Sequence, residues 1–91
     1  MTRSLHCLIS GKVQGVYFRS WTKDQADNLG VAGWVRNLSD GRVEVLAQGE
    51  DEALQDLKAR LAQGSPMSLV ENIECNWTDY DKAFESFEQR L

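Results

Sequence analysis

The spacing of hydrophobic residues changes repeatedly along this chain, and the order of those changes is the strongest constraint on its fold. Near the amino terminus, apolar residues alternate with polar ones at the period of a half-buried strand; the apolar set is Leu5, Cys7 and Ile9. Helical spacing follows within Phe18–Leu29, with Ser20 as the predicted N-cap and Gly30 as the C-terminal stop. These patterns predict a strand, a glycine-containing loop and a helix.

The middle of the chain predicts a β-hairpin. Ala32–Leu38 and Arg42–Gln48 are rich in Val and Trp, and Ser39-Asp40-Gly41 between them is a tight-turn sequence. In the second strand, apolar residues at odd positions alternate with mostly polar residues at even positions. We therefore expect antiparallel strands with one face of the sheet exposed to water.

A second helix is predicted at Asp51–Gln63, because its leucines fall on one stripe and acidic residues stand at its amino-terminal end. Gly64 follows the helix, and Ser65-Pro66 blocks its continuation. Alternation returns in Leu69–Trp77, which predicts another strand. The segment Phe84–Arg90 fits a short strand or a helix equally well.

The resulting order of strand, helix, strand, strand, helix and strand predicts an α+β, ferredoxin-like split βαβ fold. In this βαββαβ arrangement, with a possible extra edge strand, two helices cover one face of an antiparallel sheet. At 91 residues the chain is expected to be one domain spanning residues 1–91. Because its core is small, any site should be a surface cleft that binds a small ligand.

The charge balance limits the partners of the protein. The formal net charge is −4, from 14 acidic and 10 basic residues, and no basic stripe is present, so nucleic acid is not an expected partner. No apolar run approaches the roughly 20 residues of a membrane span, and the apolar segment within residues 1–10 is too short for a secretion signal. We expect a cytoplasmic monomer.

The chain has two cysteines, Cys7 and Cys75, without metal-ligand spacing. Free buried thiols are the favoured interpretation, although a disulfide stays open because both residues fall in predicted strands that could be neighbours. With one histidine, His6, the chain cannot supply the four ligands of a structural zinc site from cysteine and histidine alone.

The loop between the first strand and the first helix has the composition of an anion cradle. Glycine permits positive φ and a close backbone approach, and amide N–H groups at a helix start carry partial positive charge. Arg19 adds a fixed charge whose donors match phosphate oxygens. The segment reads Gly11-Lys12-Val13-Gln14-Gly15-Val16-Tyr17-Phe18-Arg19.

This segment, together with two later blocks, resembles the acylphosphatase family. The later blocks are Gly30-Val31-Ala32-Gly33-Trp34-Val35-Arg36-Asn37 and Asp40-Gly41-Arg42-Val43-Glu44. The resemblance implies hydrolysis of acyl phosphates to carboxylate and inorganic phosphate, with no metal or other cofactor. It also implies that Arg19 and Asn37 are catalytic. The implied phosphate-binding residues are Gln14, Gly15, Val16, Tyr17, Phe18 and Arg19.

The chemistry of an acyl phosphate suits these residues, because a carboxylate leaves as a stable anion and needs no general acid. Holding the phosphate oxygens falls to Arg19 and the loop amides, and a neutral amide such as Asn37 can position the attacking water. The identity of any general base stays open.

Two alternatives to hydrolysis remain. One is a non-catalytic small-anion (phosphate) binding module of ferredoxin-like fold, which would use the same loop without turnover. The other is a free-standing relative of the acylphosphatase-like domain of carbamoyl-transfer maturation proteins.

Overall fold

A computed structural model describes residues 2–80 and 82–91 of the chain. The elements in chain order are β1 (Thr2–Lys12), α1 (Phe18–Leu29), β2 (Ala32–Asn37), β3 (Val43–Glu50), α2 (Asp51–Gln63), β4 (Leu69–Thr78) and β5 (Phe87–Arg90). This order confirms the predicted split βαβ arrangement and includes the extra edge strand. In the described residues, no helix is long and apolar enough to cross a membrane.

The strands of the described chain form one sheet in the order β4-β1-β3-β2-β5. The pairs β1–β3, β1–β4 and β2–β3 are antiparallel, as predicted. The edge strand β5 instead runs parallel to β2, with Gly33 opposite Phe87. The sheet is therefore mixed. The strand within the ambiguous Phe84–Arg90 segment begins at Phe87, whose side chain is buried in the core.

Both helices pack on one face of the sheet and share one hydrophobic core with it. From α2, Leu54, Leu57 and Leu61 are fully buried, and they meet the odd-numbered residues of β1 and β3. Each such side chain contributes about 1.5–3 kcal/mol through the apolar surface it removes from water. Helix α1 contacts β2 on the same face of the sheet.

The opposite face of the sheet is less exposed than the alternation predicts. Leu46 and Gln48 point to that face, yet both are buried. Trp34 lies directly across from Leu46, and Gln48 exchanges hydrogen bonds with the backbone of Lys82 and Phe84. The face expected to be exposed is therefore only partly so, because the segment that leads into β5 folds over one end of it.

The first helix begins earlier than predicted. Its N-cap is Tyr17, in the left-handed region at φ 59°, and Phe18 is the first helical residue. Ser20 lies inside the first turn, where its hydroxyl donates to the Tyr17 carbonyl oxygen over 3.0 Å. The prediction of Ser20 as N-cap is wrong. The actual N-cap, Tyr17, could not be expected from sequence, because non-glycine residues rarely adopt positive φ.

The two cysteines form a disulfide instead of the free thiols that the sequence favours. Cys7 and Cys75 stand directly opposite each other on the antiparallel strands β1 and β4, with their Cα atoms 4.1 Å apart. Antiparallel register places such opposite residues close enough to be linked. The bond ties the edge strand β4 to its neighbour β1.

Candidate active site

Just before the loop to α1, the end of β1 contains a glycine whose position leaves no room for a Cβ atom. Gly11 has φ 125°, and a Cβ atom there would lie 2.2 Å from the Leu69 carbonyl oxygen of β4. Beyond it, the side chains of Val13, Val16 and Phe18 are buried and anchor the loop to the core. Because these side chains point inward, the backbone between them is held at the surface.

Two residues of this loop adopt left-handed backbone conformations, Gly15 at φ 72° and Tyr17 at φ 59°. Positive φ at intervals turns successive N–H groups toward one side, which produces an anion-binding concavity. Among residues 2–80 and 82–91, no acceptor receives a hydrogen bond from the amides of residues 14–18. These donors lie at the positive end of the α1 dipole and are available to a ligand.

Arg19, in the first turn of α1, is held by the last strand. Its Nη1 donates to the Arg90 carbonyl oxygen of β5 over 2.6 Å. A guanidinium has five N–H donors, so this bond fixes its position and leaves most of its donors for an anion.

Asn37 is the last residue of β2. Its Oδ1 is buried and has no hydrogen-bond partner among the described residues. The neighbouring end of the hairpin is tied to the loop, because Gln14 Nε2 donates to the carbonyl oxygens of Leu38 and Arg42 over 2.8 and 2.9 Å. A buried amide oxygen without a partner is unusual in a folded protein and indicates a position where an external donor binds.

Arg19 and Asn37 line the same surface cavity, which has a volume of about 390 Å³. Its full lining is Val13, Gly15, Tyr17, Phe18, Arg19, Ser20, Asn37 and Gln89. Two of the six candidate phosphate-binding residues, Gln14 and Val16, are not in this lining.

Three residues of the lining are not among the predicted site residues. Val13 and Ser20 flank the predicted phosphate-binding residues 14–19 and could have been included by adjacency. Gln89 had no sequence signal, since its position depends on the parallel pairing of β5 with β2.

Two carboxyl groups with a lowered pKa, those of Asp40 and Glu44, lie outside this cavity. Burial alone would raise the pKa of Glu44, but hydrogen bonds from His6 and Arg36 lower it overall. At Asp40, a hydrogen bond from the Arg42 backbone N–H is the main cause of a lowered pKa. Asp40 therefore acts in the hairpin turn.

The chain is similar in sequence and fold to known acylphosphatases. A family model described as Acylphosphatase matches residues 5–89. An acylphosphatase from Pelotomaculum thermopropionicum is 49% identical over 82 residues, covering 90% of this chain and 89% of the relative. The crystal structure of acylphosphatase from Bacillus subtilis superposes with a TM-score of 0.94 at 36% identity, with 100% of both chains covered.

A more distant likeness concerns the fold alone. A full-length HypF structure, in a phosphate- and nucleotide-bound form, superposes with a TM-score of 0.84 at 19% identity. It covers 100% of this chain, which spans 12% of that protein.

Fold and cavity together define a ferredoxin-like protein with a candidate anion site. The chain belongs to the acylphosphatase family, and hydrolysis of an acyl phosphate to a carboxylate and inorganic phosphate is its activity. The predicted family, fold and enzyme class are confirmed. A non-catalytic anion-binding module is not supported, given relatives that are named as enzymes over most of their length.

Proposed function

We propose that this chain hydrolyses small acyl phosphates with Arg19 and Asn37 as its catalytic residues. The observation that carries the proposal is that both side chains line one cavity whose floor is the glycine loop. A fixed cation, unpaired amide donors and a neutral amide then surround one small volume. That set of groups matches the needs of phosphoryl transfer from a carboxylate.

The phosphoryl group binds to the loop amides of residues 14–19 and to the guanidinium of Arg19. Its equatorial oxygens accept these hydrogen bonds, and the bonds strengthen as charge accumulates on the oxygens in the transition state. The bond from Arg19 to the Arg90 carbonyl supports this role, because a prepositioned guanidinium loses less entropy on binding.

Asn37 holds the attacking water in line with the bond that breaks. Its Oδ1 accepts a hydrogen bond from the water, which turns an oxygen lone pair toward phosphorus. The lack of a protein partner for this buried oxygen among the described residues supports the assignment. As the P–O bond breaks, the electron pair leaves on the carboxylate, so no general acid is required.

The remaining features of the proposal concern the protein as a whole. Residues 1–91 form one domain that works as a cytoplasmic monomer and binds acyl phosphate and inorganic phosphate. The reaction proceeds without a metal ion, because the leaving group is stable as an anion and Arg19 supplies the positive charge.

A hydrolysis assay with acetyl phosphate in the presence of a chelator tests the proposal. Arg19→Ala should lower kcat/KM by at least about 100-fold, since removing one such stabiliser costs about 3 kcal/mol. Asn37→Ala should lower kcat strongly while inhibition by inorganic phosphate stays near the wild-type level. Loss of phosphate inhibition in Asn37→Ala would instead place Asn37 among the phosphate ligands.

Arg36→Ala is the matched control, because Arg36 is an exposed arginine next to Asn37 whose side chain pairs with Glu44. It should keep activity within about twofold. Activity of Arg19→Ala within a few-fold of wild type would remove Arg19 from the mechanism. A preference for carbamoyl phosphate over acetyl phosphate would favour the carbamoyl-transfer alternative.

A further inference from the structure

A second groove lies against the proposed phosphate site. It has a volume of about 270 Å³ and runs between the first turns of α1 and the segment that follows α2. Its apolar wall includes Tyr17, Trp21, Pro66 and Met67. Tyr17 and Met67 are strongly exposed, at 79% and 64%, and line the same groove, so they form an exposed apolar patch of the kind that marks binding sites.

The groove adjoins the candidate active site. Tyr17 and Ser20 line both cavities. A ligand whose phosphoryl group sits on the loop amides can therefore extend over Tyr17 into the groove. In an acyl phosphate, one bridging oxygen joins the acyl group to phosphorus. With the phosphoryl group bound to the loop amides, the acyl group must therefore extend from the loop on one side.

The in-line geometry of phosphoryl transfer selects that side. The attacking and leaving oxygens lie on opposite sides of phosphorus. Asn37 and Gln89 of the sheet line the first cavity, whereas β2 and β5 contribute none of the described residues of the second groove. With the water held at Asn37, the leaving group points away from Asn37 and toward the groove.

The charge of the groove also limits what it can hold. Asp24 is the one charged residue among the described residues that line it, and its carboxylate is exposed. Asp24 would repel a distal carboxylate on the acyl group. Because Asp24 is exposed to solvent, this repulsion should weaken binding only a few-fold. Apolar atoms would instead gain affinity from the aromatic and methionine side chains.

We propose that this groove binds the acyl group and gives the enzyme a preference for acyl phosphates with an apolar, uncharged acyl group. The inference rests on the proposed function, since it assumes that phosphate occupies the glycine loop and water occupies the Asn37 side. Met67 and Asp24 are then specificity-determining residues, the first for apolar contact and the second against a distal negative charge.

The test compares kcat/KM for three substrates: acetyl phosphate, benzoyl phosphate and 4-carboxybenzoyl phosphate. In Met67→Ala, the ratio of benzoyl to acetyl phosphate should fall about fivefold, because each methylene group that no longer covers the ring lowers affinity roughly fourfold. In Asp24→Asn, the ratio of 4-carboxybenzoyl to benzoyl phosphate should rise about threefold. Leu69→Ala is the control, since Leu69 is 63% exposed and lies outside the groove lining.

The outcomes separate this inference from the proposed function. If Arg19→Ala abolishes hydrolysis of all three substrates but Met67→Ala leaves the benzoyl-to-acetyl ratio at the wild-type value, the groove assignment is overturned and the catalytic assignment stands. An equal change of that ratio in Leu69→Ala also overturns it. If the wild type hydrolyses none of the three, both proposals fall.

Discussion

The two helices of this protein begin in opposite chemical settings. The second helix carries Asp51 and Glu52 in its first turn, and Asp51 also pairs with Arg3 over 3.0 Å. The first helix has no acidic residue in its first turn and no side-chain cap among the described residues, and its N-cap Tyr17 has left-handed backbone angles. The positive end of α2 is satisfied by the protein, whereas that of α1 is left for a ligand.

Placing a carboxylate in the first turn of α1 should remove the difference between the two helix starts most directly. We expect Ser20→Asp to lower kcat/KM for acetyl phosphate by roughly 10- to 100-fold, because its charge would repel a phosphate bound, as proposed, at the helix start. The same change should stabilise the fold by about 0.3–1 kcal/mol through the helix dipole. Steady-state kinetics and chemical denaturation measure the two effects.

Ser20→Asn is the control for Ser20→Asp, because it changes the shape of the side chain similarly without adding charge. If both variants lose the same activity, the electrostatic explanation of the α1 start fails.

Straining the backbone that turns the amides outward should have the next largest effect. In Gly15→Ala the new Cβ has open space, so the cost is only that of positive φ, about 1–2 kcal/mol. The loop can relieve this strain by moving its amides, so we expect inhibition by inorganic phosphate to weaken about tenfold. Gly41→Ala provides the same test in the hairpin turn, where φ is 97° and space is open. It should lose stability but keep phosphate inhibition.

Glu44 lies in β3 and not at either helix start, so replacing it measures what ion pairing alone contributes to the stability of the fold. Because the pKa of Glu44 is lower in the folded chain, its stabilisation is complete above the ordinary value of 4.5 and is lost as pH falls through the folded pKa. Glu44→Gln should therefore lower the free energy of unfolding by about 1–2 kcal/mol at pH 7 and by less at low pH. An equal loss at pH 3 and pH 7 would contradict the ion-pair explanation.

The smallest effect is expected at the start of α2. Asp51→Asn removes a dipole partner and an exposed ion pair, and should cost about 0.3–1 kcal/mol of stability with activity unchanged. Thermal unfolding and the acetyl phosphate assay suffice for this measurement. A change in activity beyond twofold would show that the two helix starts are not independent.

The elements with strong local signals could be predicted from sequence. The second helix has the predicted bounds, Asp51–Gln63, because its leucine stripe, acidic first turn and following glycine all agree. The start of α1 could not be predicted, since it follows a non-glycine residue, Tyr17, in the left-handed conformation between two buried residues. Sequence pattern gives no sign of such a backbone angle.

Long-range pairings are the other limit to prediction. The parallel docking of β5 and the opposition of Cys7 and Cys75 depend on strand register, which local patterns do not specify. At the candidate site, Arg19 and Asn37 are predicted through the family resemblance, and the fold brings both to one cavity. Gln89 could not be predicted, because a residue on an edge strand joins a site only through tertiary packing.

The hydrogen bond from Arg19 to the Arg90 carbonyl also bears on the order of events in folding. It joins positions 71 apart in the chain, across a parallel edge strand of only four residues. Closing so long a segment is slow relative to forming a local helix turn, and a short edge strand gains little by docking early. In a refolding experiment, helical signal should therefore return before catalytic turnover, whose recovery reports the final strand joining the sheet.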